Sequence, residues 1–319
     1  MTEHLPKSLS VIIVNRNTAD LLVRCIGHVY GSDLPETPEV CVVDNGSSDD
    51  SVKRVREVYP EAIVIEAGRN LGFAAANNLA FAETAGRFVL LVNTDAMLDE
   101  ACAGKLLSLM TTDVRIGMAG PQLLNEDGTP QTSYEAVPTL ATETLNRSLL
   151  KRLFPGKYPG KTRLFAGPQP VEALIGAVMM IRRDALDELH GFDEDYFFFL
   201  EETDLAVRMR KGGWKVVHEP GAKAFHLQGA TAKTYQAGAR IEFYRSRYLF
   251  FQKHYGVATA GVLRGVMTAN LALNVLGLGI ATACTLGRAN RLTGRLKVRS
   301  QLWKWHLNGC PEGWGLPRT

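Results

Sequence analysis

The amino-acid sequence predicts an α/β protein with a mostly parallel central sheet flanked by helices, followed by a C-terminal helical extension that is both basic and apolar. Three observations lead there. Short apolar, β-branched runs alternate with segments of helical spacing through the N-terminal third, the pattern of a parallel sheet covered on both faces. Polar residues gather at the ends of those runs, where ligands bind in open sheets of this kind. The charge is also divided. The whole chain carries net +3, yet Phe243 to Cys310 holds ten Lys or Arg and no Asp or Glu, leaving −7 for the remainder.

The elements follow in order. "LSVIIVN" (Leu9 to Asn15) reads as a first strand and Asp20 to Tyr30 as a helix. "EVCVVDNG" is a second strand ending in a turn cluster, Asp44 to Asp50, that opens a helix over Ser51 to Tyr59. "AIVIEAG" is a third strand, Leu71 to Ala85 a third helix, and "RFVLLVNTD" a fourth strand. Their polar ends are Asn15, Asp44, Arg69 and Asp95. Asn146 to Pro170, punctuated by Pro and Gly and rich in basic residues, reads as a flexible loop or lid. Gly265 to Gly287 runs 23 residues without a charge, long enough to span a bilayer at about 20 residues per crossing. Its Asn270, Asn274 and several Thr weaken that reading. Three placements stay open: lying on a membrane surface, buried as a core or homodimer helix, or spanning. The flanking Arg and Lys, with Trp303 and Trp305, point to an anionic membrane surface.

At 319 residues, 46% hydrophobic and 22% charged, the chain can bury a sizeable core and is neither disordered nor fibrous. No signal peptide is expected, because Glu3, His4 and Lys7 precede Val11 without an apolar run. Five widely spaced cysteines form no CxxC or zinc pattern, which fits reduced thiols and a cytoplasmic location. Neither a GxGxxG after the first strand nor a P-loop is present. A nucleotide's phosphates must then be met by other means, and Mg2+ or Mn2+ held by one or two carboxylates is the chemical substitute. No nucleic-acid partner is expected.

"VVDNGSSDDS", "RNLGFAAANN", "LLVNTDA", "GAVMMIRRDALDELHGFDEDYFFFLEETDLAVRMRKGGW" and "HEPGAKAFH", in that order, resemble family 2 glycosyltransferases of the GT-A fold, in particular the rhamnosyltransferase-like branch. The likeness runs from about Ser8 to Thr231. It implies an inverting enzyme using a nucleotide-sugar and a divalent metal; with the charge division, the chain is expected to form a catalytic domain over 1–240 and a membrane-associating extension over 241–319. It also implies that Val14, Asn15, Asn93 and Thr94 belong to the donor side. Asp44 would accept hydrogen bonds from the donor's base or ribose, with a turn-capping role as the alternative for an Asp at a strand end. Arg69 would lie against pyrimidine and phosphate. Gly72 and Asn78 would touch the donor, although a glycine here also suits backbone geometry alone. In "NTD" an Asn, Asn93, stands where the family's DxD motif has its first Asp; Asp95 would bind the cation, and His226 would be a further metal ligand. A nitrogen ligand tilts the choice toward Mn2+.

Inverting transfer needs a base for the acceptor hydroxyl. "EETDL" aligns Glu202 with the family's usual base, normally an Asp, with Glu201 and Asp204 as rivals. The same acids could also serve to stabilise a helix N-terminus. The expected function is transfer of rhamnose or another hexose from a dTDP- or UDP-sugar to a polyprenyl-diphosphate-linked or polysaccharide acceptor, in cell-envelope glycan biosynthesis. The enzyme would sit at the inner face of the cell membrane. A sugar nucleotidyltransferase is the alternative, but no Gly-rich, basic loop follows the first strand. A non-catalytic sugar-nucleotide-binding protein is another, in which Asp95 and Glu202 would have no purpose.

Overall fold

The apolar runs become the strands of one central sheet in a computed structural model that describes residues 8–145, 148, 150, 152, 165–227, 236–286 and 288–318. The first four strands alternate with helices: β1 (Leu9–Asn15), α1 (Ala19–Tyr30), β2 (Glu39–Asp44), α2 (Ser51–Val58), β3 (Ile63–Glu66), α3 (Phe73–Glu83) and β4 (Phe88–Val92). A short β5 (Ala96–Leu98), α4 (Cys102–Thr112) and the long β6 (Ile116–Leu124) follow. The segment after β6 contributes β7 (Tyr134–Glu135), α5 (Leu140–Thr144), β8 (Gln169–Pro170) and β9 (Ala173–Leu174). Next come β10 (Val178–Arg182), α6 (Arg183–Glu188), α7 (Glu201–Lys211) and β11 (Lys215–His226). The extension is α8 (Gln236–Tyr255), α9 (Val257–Cys284) and α10 (Asn290–Leu307).

The sheet order is β3-β2-β1-β4-β10-β6-β11-β5, with β8 on β11 and a separate β7–β9 pair. β3, β2, β1 and β4 are mutually parallel, as are β6 and β11, whereas β10 runs antiparallel between β4 and β6. Because β1 and β4 are buried on both faces, they read as continuous apolar runs. Val11 and Ile13 pack with Leu22, Ile26, Leu106 and Met110 of α1 and α4. Ile12 faces the other layer, with Ala76 and Ala80 of α3 and Leu205 and Met209 of α7. The period of two along the strand therefore joins two cores.

Two boundaries differ from the sequence reading. β3 ends at Glu66, so Arg69 lies beyond the strand end rather than on it. α3 begins at Phe73 because Gly72, at φ +86°, turns the chain just before it. The expected loop over 146–170 lies mostly outside the described residues, as do 228–231 and Gly287. The extension packs onto the catalytic layer: Phe250, Phe251, Leu263 and Met267 share a buried cluster with Tyr196, Leu200 and Val207.

Candidate active site

The C-terminal ends of β1, β2 and β4 meet at a cavity of about 310 Å³ lined by Val14, Asn15, Asn45, Asn70, Gly72, Asn93, Thr94, Asp95, Phe197–Phe199 and His226, among others. Its floor is a network of amides. Asn15 Nδ2 donates to Asp44 Oδ1 and to Ser47 Oγ, both at 3.1 Å. Thr18 Oγ1 donates to Asn15 Oδ1 at 2.7 Å and lies 3.0 Å from Thr94 Oγ1. Asn45 ties the next loop down, donating to Asn70 Oδ1 and Gly72 O at 3.1 Å and accepting from Leu71 N at 2.7 Å. Asn45 and Asn70 were not singled out in the sequence. They sit inside "VVDNGSS" and "RNLGF", beside the charged Asp44 and Arg69, and as neutral amides carry no charge signal of their own.

Asp95 and His226 come together from different strands. His226 Nε2 lies 3.5 Å from Asp95 Oδ1, and Leu227 N donates to Asp95 O at 2.9 Å. Behind the ring, His226 Nδ1 is 3.2 Å from Gln131 Oε1, and the Gln131 amide donates to His226 O at 2.6 Å and Asn125 Oδ1 at 2.8 Å. With its NH2 so engaged, Gln131 presents an acceptor to Nδ1, which therefore carries the ring proton. Nε2 then offers a lone pair beside a carboxylate oxygen. Two acceptors at this separation fit a divalent cation, and the amide behind the ring is the usual outer-shell support for such a ligand. Among the described residues no group of three or more His, Cys, Asp or Glu could hold a metal. The remaining ligands of a cation would therefore come from phosphate oxygens and water. Gln131 is a further residue that sequence spacing alone did not reveal.

The aromatic run folds over the cavity through two successive left-handed residues, Phe199 (φ +74°) and Leu200 (φ +68°), a conformation that non-glycine residues hold only when their surroundings enforce it. Phe197 O accepts from Phe73 N at 2.9 Å and Phe198 O from Ser246 Oγ at 2.8 Å. α7 then starts at Glu201. Glu201 is buried, and burial with the adjacent Glu202 charge holds its carboxyl well above the ordinary range. Burial, then the neighbouring Glu135 charge, push Glu202 up to about 7, opposed by N–H groups of Glu202, Gly176 and Thr203. Its Oε2 is buried and has no hydrogen-bond partner among the described residues. Glu202 lies against Gly176, and the next residue, Ala177, accepts from Asn93 N at 2.9 Å. The candidate base and the "NTD" turn are thus neighbours across one short backbone segment.

Like Glu201 and Glu202, four further expected residues lie outside the cavity lining. Asp204 is fully buried and clamped by Arg208 at 2.6 Å and by Lys253 and His254 at 2.8 Å. Burial would raise its carboxyl, but hydrogen bonds from His254 and Lys253 and the Arg208 charge bring it down to about 2. A carboxylate so held is a structural anchor, not a base. Arg69 is exposed and outside the cavity lining, its backbone pressed against Gly46, where a Cβ would meet Arg69 C at 2.8 Å. Asn78 points to the opposite layer, its amide donating to Phe192 O and Glu194 Oε1 at 2.9 Å. Asp44 is buried behind Asn15 and accepts from Ser47 N at 3.0 Å, the turn-capping arrangement.

Comparison with known proteins agrees with this geometry. Residues 10–190, more than half of the chain, match the family model of glycosyl transferase family 2. A Mycobacterium tuberculosis N-acetylglucosaminyl-diphospho-decaprenol L-rhamnosyltransferase is 28% identical over 290 residues, 86% of this chain and 92% of that protein. Among solved structures, the mannosyltransferase PcManGT of Pyrobaculum calidifontis, in complex with GDP-Man and Mn2+, matches with a TM-score of 0.57 at 16% identity, over 96% of this chain and 88% of that one. S. aureus TarS 1-349 with UDP matches with a TM-score of 0.54 at 16% identity, over 83% and 72%. Sheet order, cavity position and family match converge, and the chain belongs to glycosyl transferase family 2.

Proposed function

We propose that this glycosyltransferase works with inversion, moving rhamnose or another hexose from a dTDP- or UDP-sugar to a polyprenyl-diphosphate-linked glycan during cell-envelope glycan biosynthesis. The observation that carries the reading is the Asp95–His226 pair, 3.5 Å apart where β5 and β11 meet, with Glu202 packed on Gly176, whose neighbour Ala177 accepts from Asn93 N at 2.9 Å. The rhamnosyltransferase from Mycobacterium tuberculosis, which is similar along most of its length and named for a decaprenol-linked acceptor, supports the choice of sugar and acceptor.

In this mechanism the amides of Asn15, Asn45, Asn70 and Asn93 orient the donor, and Phe197–Phe199 wall the cavity against water. The acceptor oxygen bonds to the anomeric carbon from the face opposite the leaving group, while its proton passes to Glu202. The bond from that carbon to the diphosphate oxygen breaks, and its electron pair leaves with the nucleoside diphosphate. Mn2+ or Mg2+ held by Asp95 and His226 would offset the charge gathering on that leaving group. A carboxyl raised to about 7 is matched to proton abstraction near neutral pH.

Glu202→Gln is expected to lower kcat by about 10²- to 10⁴-fold and to leave donor Kd within about twofold. Wild-type kcat should climb as pH rises through about 7, where Glu202 loses its proton. A Glu202→Gln enzyme with near wild-type turnover would move the base to Glu201. Titration with dTDP-, UDP- and GDP-sugars, with and without Mn2+, identifies the donor and the metal.

A further inference from the structure

The C-terminal segment Pro311–Arg318 returns from α10 to the donor cavity along a built path. Glu242, buried on α8, grips Arg245 through both carboxylate oxygens at 2.6 Å and accepts from Leu316 N at 3.2 Å. Arg245 Nη2 in turn donates to the carbonyls of Pro311 (3.1 Å), Glu312 (3.2 Å) and Trp314 (2.7 Å). At the far end Pro317 O accepts from Asn70 Nδ2 at 2.7 Å, and the Arg318 guanidinium lies over the Phe197 ring, 4.5 Å from its centroid. Gly238 makes room, since a Cβ there would come within 2.7 Å of Gly315 O. Both residues that the segment meets at that end, Asn70 and Phe197, line the cavity, and so does Leu316 itself.

Sheet order says which part of a donor would meet this segment. Asp95 precedes β5 and His226 ends β11, and these two strands pair at one edge of the sheet. Asn45 and Asn70 follow β2 and β3, at the opposite edge. A diphosphate anchored near Asp95 and His226 leaves the β2–β3 side to the nucleoside. With Leu316 in place the cavity still measures about 310 Å³, within the roughly 300–1,000 Å³ of ligand sites, so the segment bounds the space without filling it.

We infer that Gly313–Arg318 is a wall of the donor site, latched by Glu242 and Arg245, in which Leu316 packs against the nucleoside and sets affinity for the nucleotide part of the donor. The inference rests on the reading of this cavity as the nucleotide-sugar site. It is tested on the full chain by calorimetric titration of dTDP and UDP with Mn2+, alongside steady-state kinetics. Leu316→Ala removes the contact and Arg245→Ala frees the segment. Each should weaken the nucleoside diphosphate that wild type binds by about five- to tenfold, the loss of one apolar contact. Donor KM should rise by the same factor, with acceptor KM unchanged. Leu316→Met, which keeps the contact, should bind as wild type. Should Arg245→Ala fail to fold, Leu316→Ala at its half-buried position still carries the test. Unchanged affinity in a folded Leu316→Ala overturns the inference, and tighter binding overturns it too, because the segment would then be a plug. If wild type binds neither nucleotide, the donor-site reading falls, and this inference with it.

Discussion

Three acids in the first turn of α7 have three different fates, and their neighbours decide which. Glu201 and Glu202 sit where burial raises their carboxyls, helped by the Glu202 charge at Glu201 and by the Glu135 charge at Glu202, whereas Asp204 meets Arg208, Lys253 and His254 and is held near 2. The folded value of Asp204 lies below its unfolded value of about 3.9. Its contribution to stability is therefore complete above that value and is lost as pH falls toward 2. Asp204→Asn should lower stability at pH 7 by about 2–3 kcal/mol, because it leaves cations partly desolvated without their partner. The gap between wild type and Asp204→Asn should narrow by pH 3; urea denaturation at the two pH values measures both effects. An equal gap at both would contradict the clamp.

At the level of elements, the active site depends on two loops that touch. Gly72 at φ +86° ends the approach to α3, and a Cβ there would lie 2.3 Å from Phe197 O and 2.7 Å from its ring. The strained Phe199–Leu200 turn is held from the other side by Ser246. Gly72→Ala should therefore cost at least about 2 kcal/mol, from the backbone clash and the left-handed φ together. It should weaken donor binding as well, since the aromatic wall must shift. Thermal melting and nucleotide titration read the two effects, and a melting temperature within 1–2 °C of wild type, set against the several degrees such a loss produces in a domain of this size, would remove the close approach from the account. The wild-type motif "RNLGF" suggested a ligand-binding glycine. What it concealed was that the constraint comes from residues more than a hundred positions away.

For the whole molecule, α9 is apolar on two sides and covered on one. Ala260, Leu263, Met267 and Leu271 are buried, while Val262, Leu273, Leu276 and Ile280 are more than half exposed. At about 100° per residue, the exposed set falls on the side opposite the buried one. Among the described residues α9 alone is long and apolar enough to cross a membrane, with 11% of its most apolar stretch buried. A helix apolar all round is at home only where both faces leave water. With Arg291, Arg295 and Arg299 on the neighbouring α10, the expectation is that the bare face meets an anionic membrane surface. Removing the whole extension would expose Tyr196 and Leu200, so substitutions are the cleaner probe. Replacing Leu273, Leu276 and Ile280 by Ser should reduce binding to phosphatidylglycerol-containing vesicles more than tenfold in co-sedimentation, at about 1 kcal/mol or more per side chain. Added salt should weaken wild-type binding. Retained binding by the triple variant would exclude this face.

Local pattern was enough for the elements: continuous apolar runs mark strands buried on both faces, and a period near 3.6 marks helices, because both follow from short-range geometry. It also placed Asn15 and Asp95 at strand ends, while the resemblance to family 2 glycosyltransferases, not the local pattern, pointed to Asn93, His226 and Glu202. What the chain order could not contain is which distant groups meet. Gln131 orients His226 from 95 positions away, Lys253 and His254 turn Asp204 from a candidate base into an anchor, and Pro317 reaches Asn70 across 247 positions. Charge and hydrogen bonding act through space at a few ångströms, so the role of each acid and amide was decided only when the fold brought its partners there.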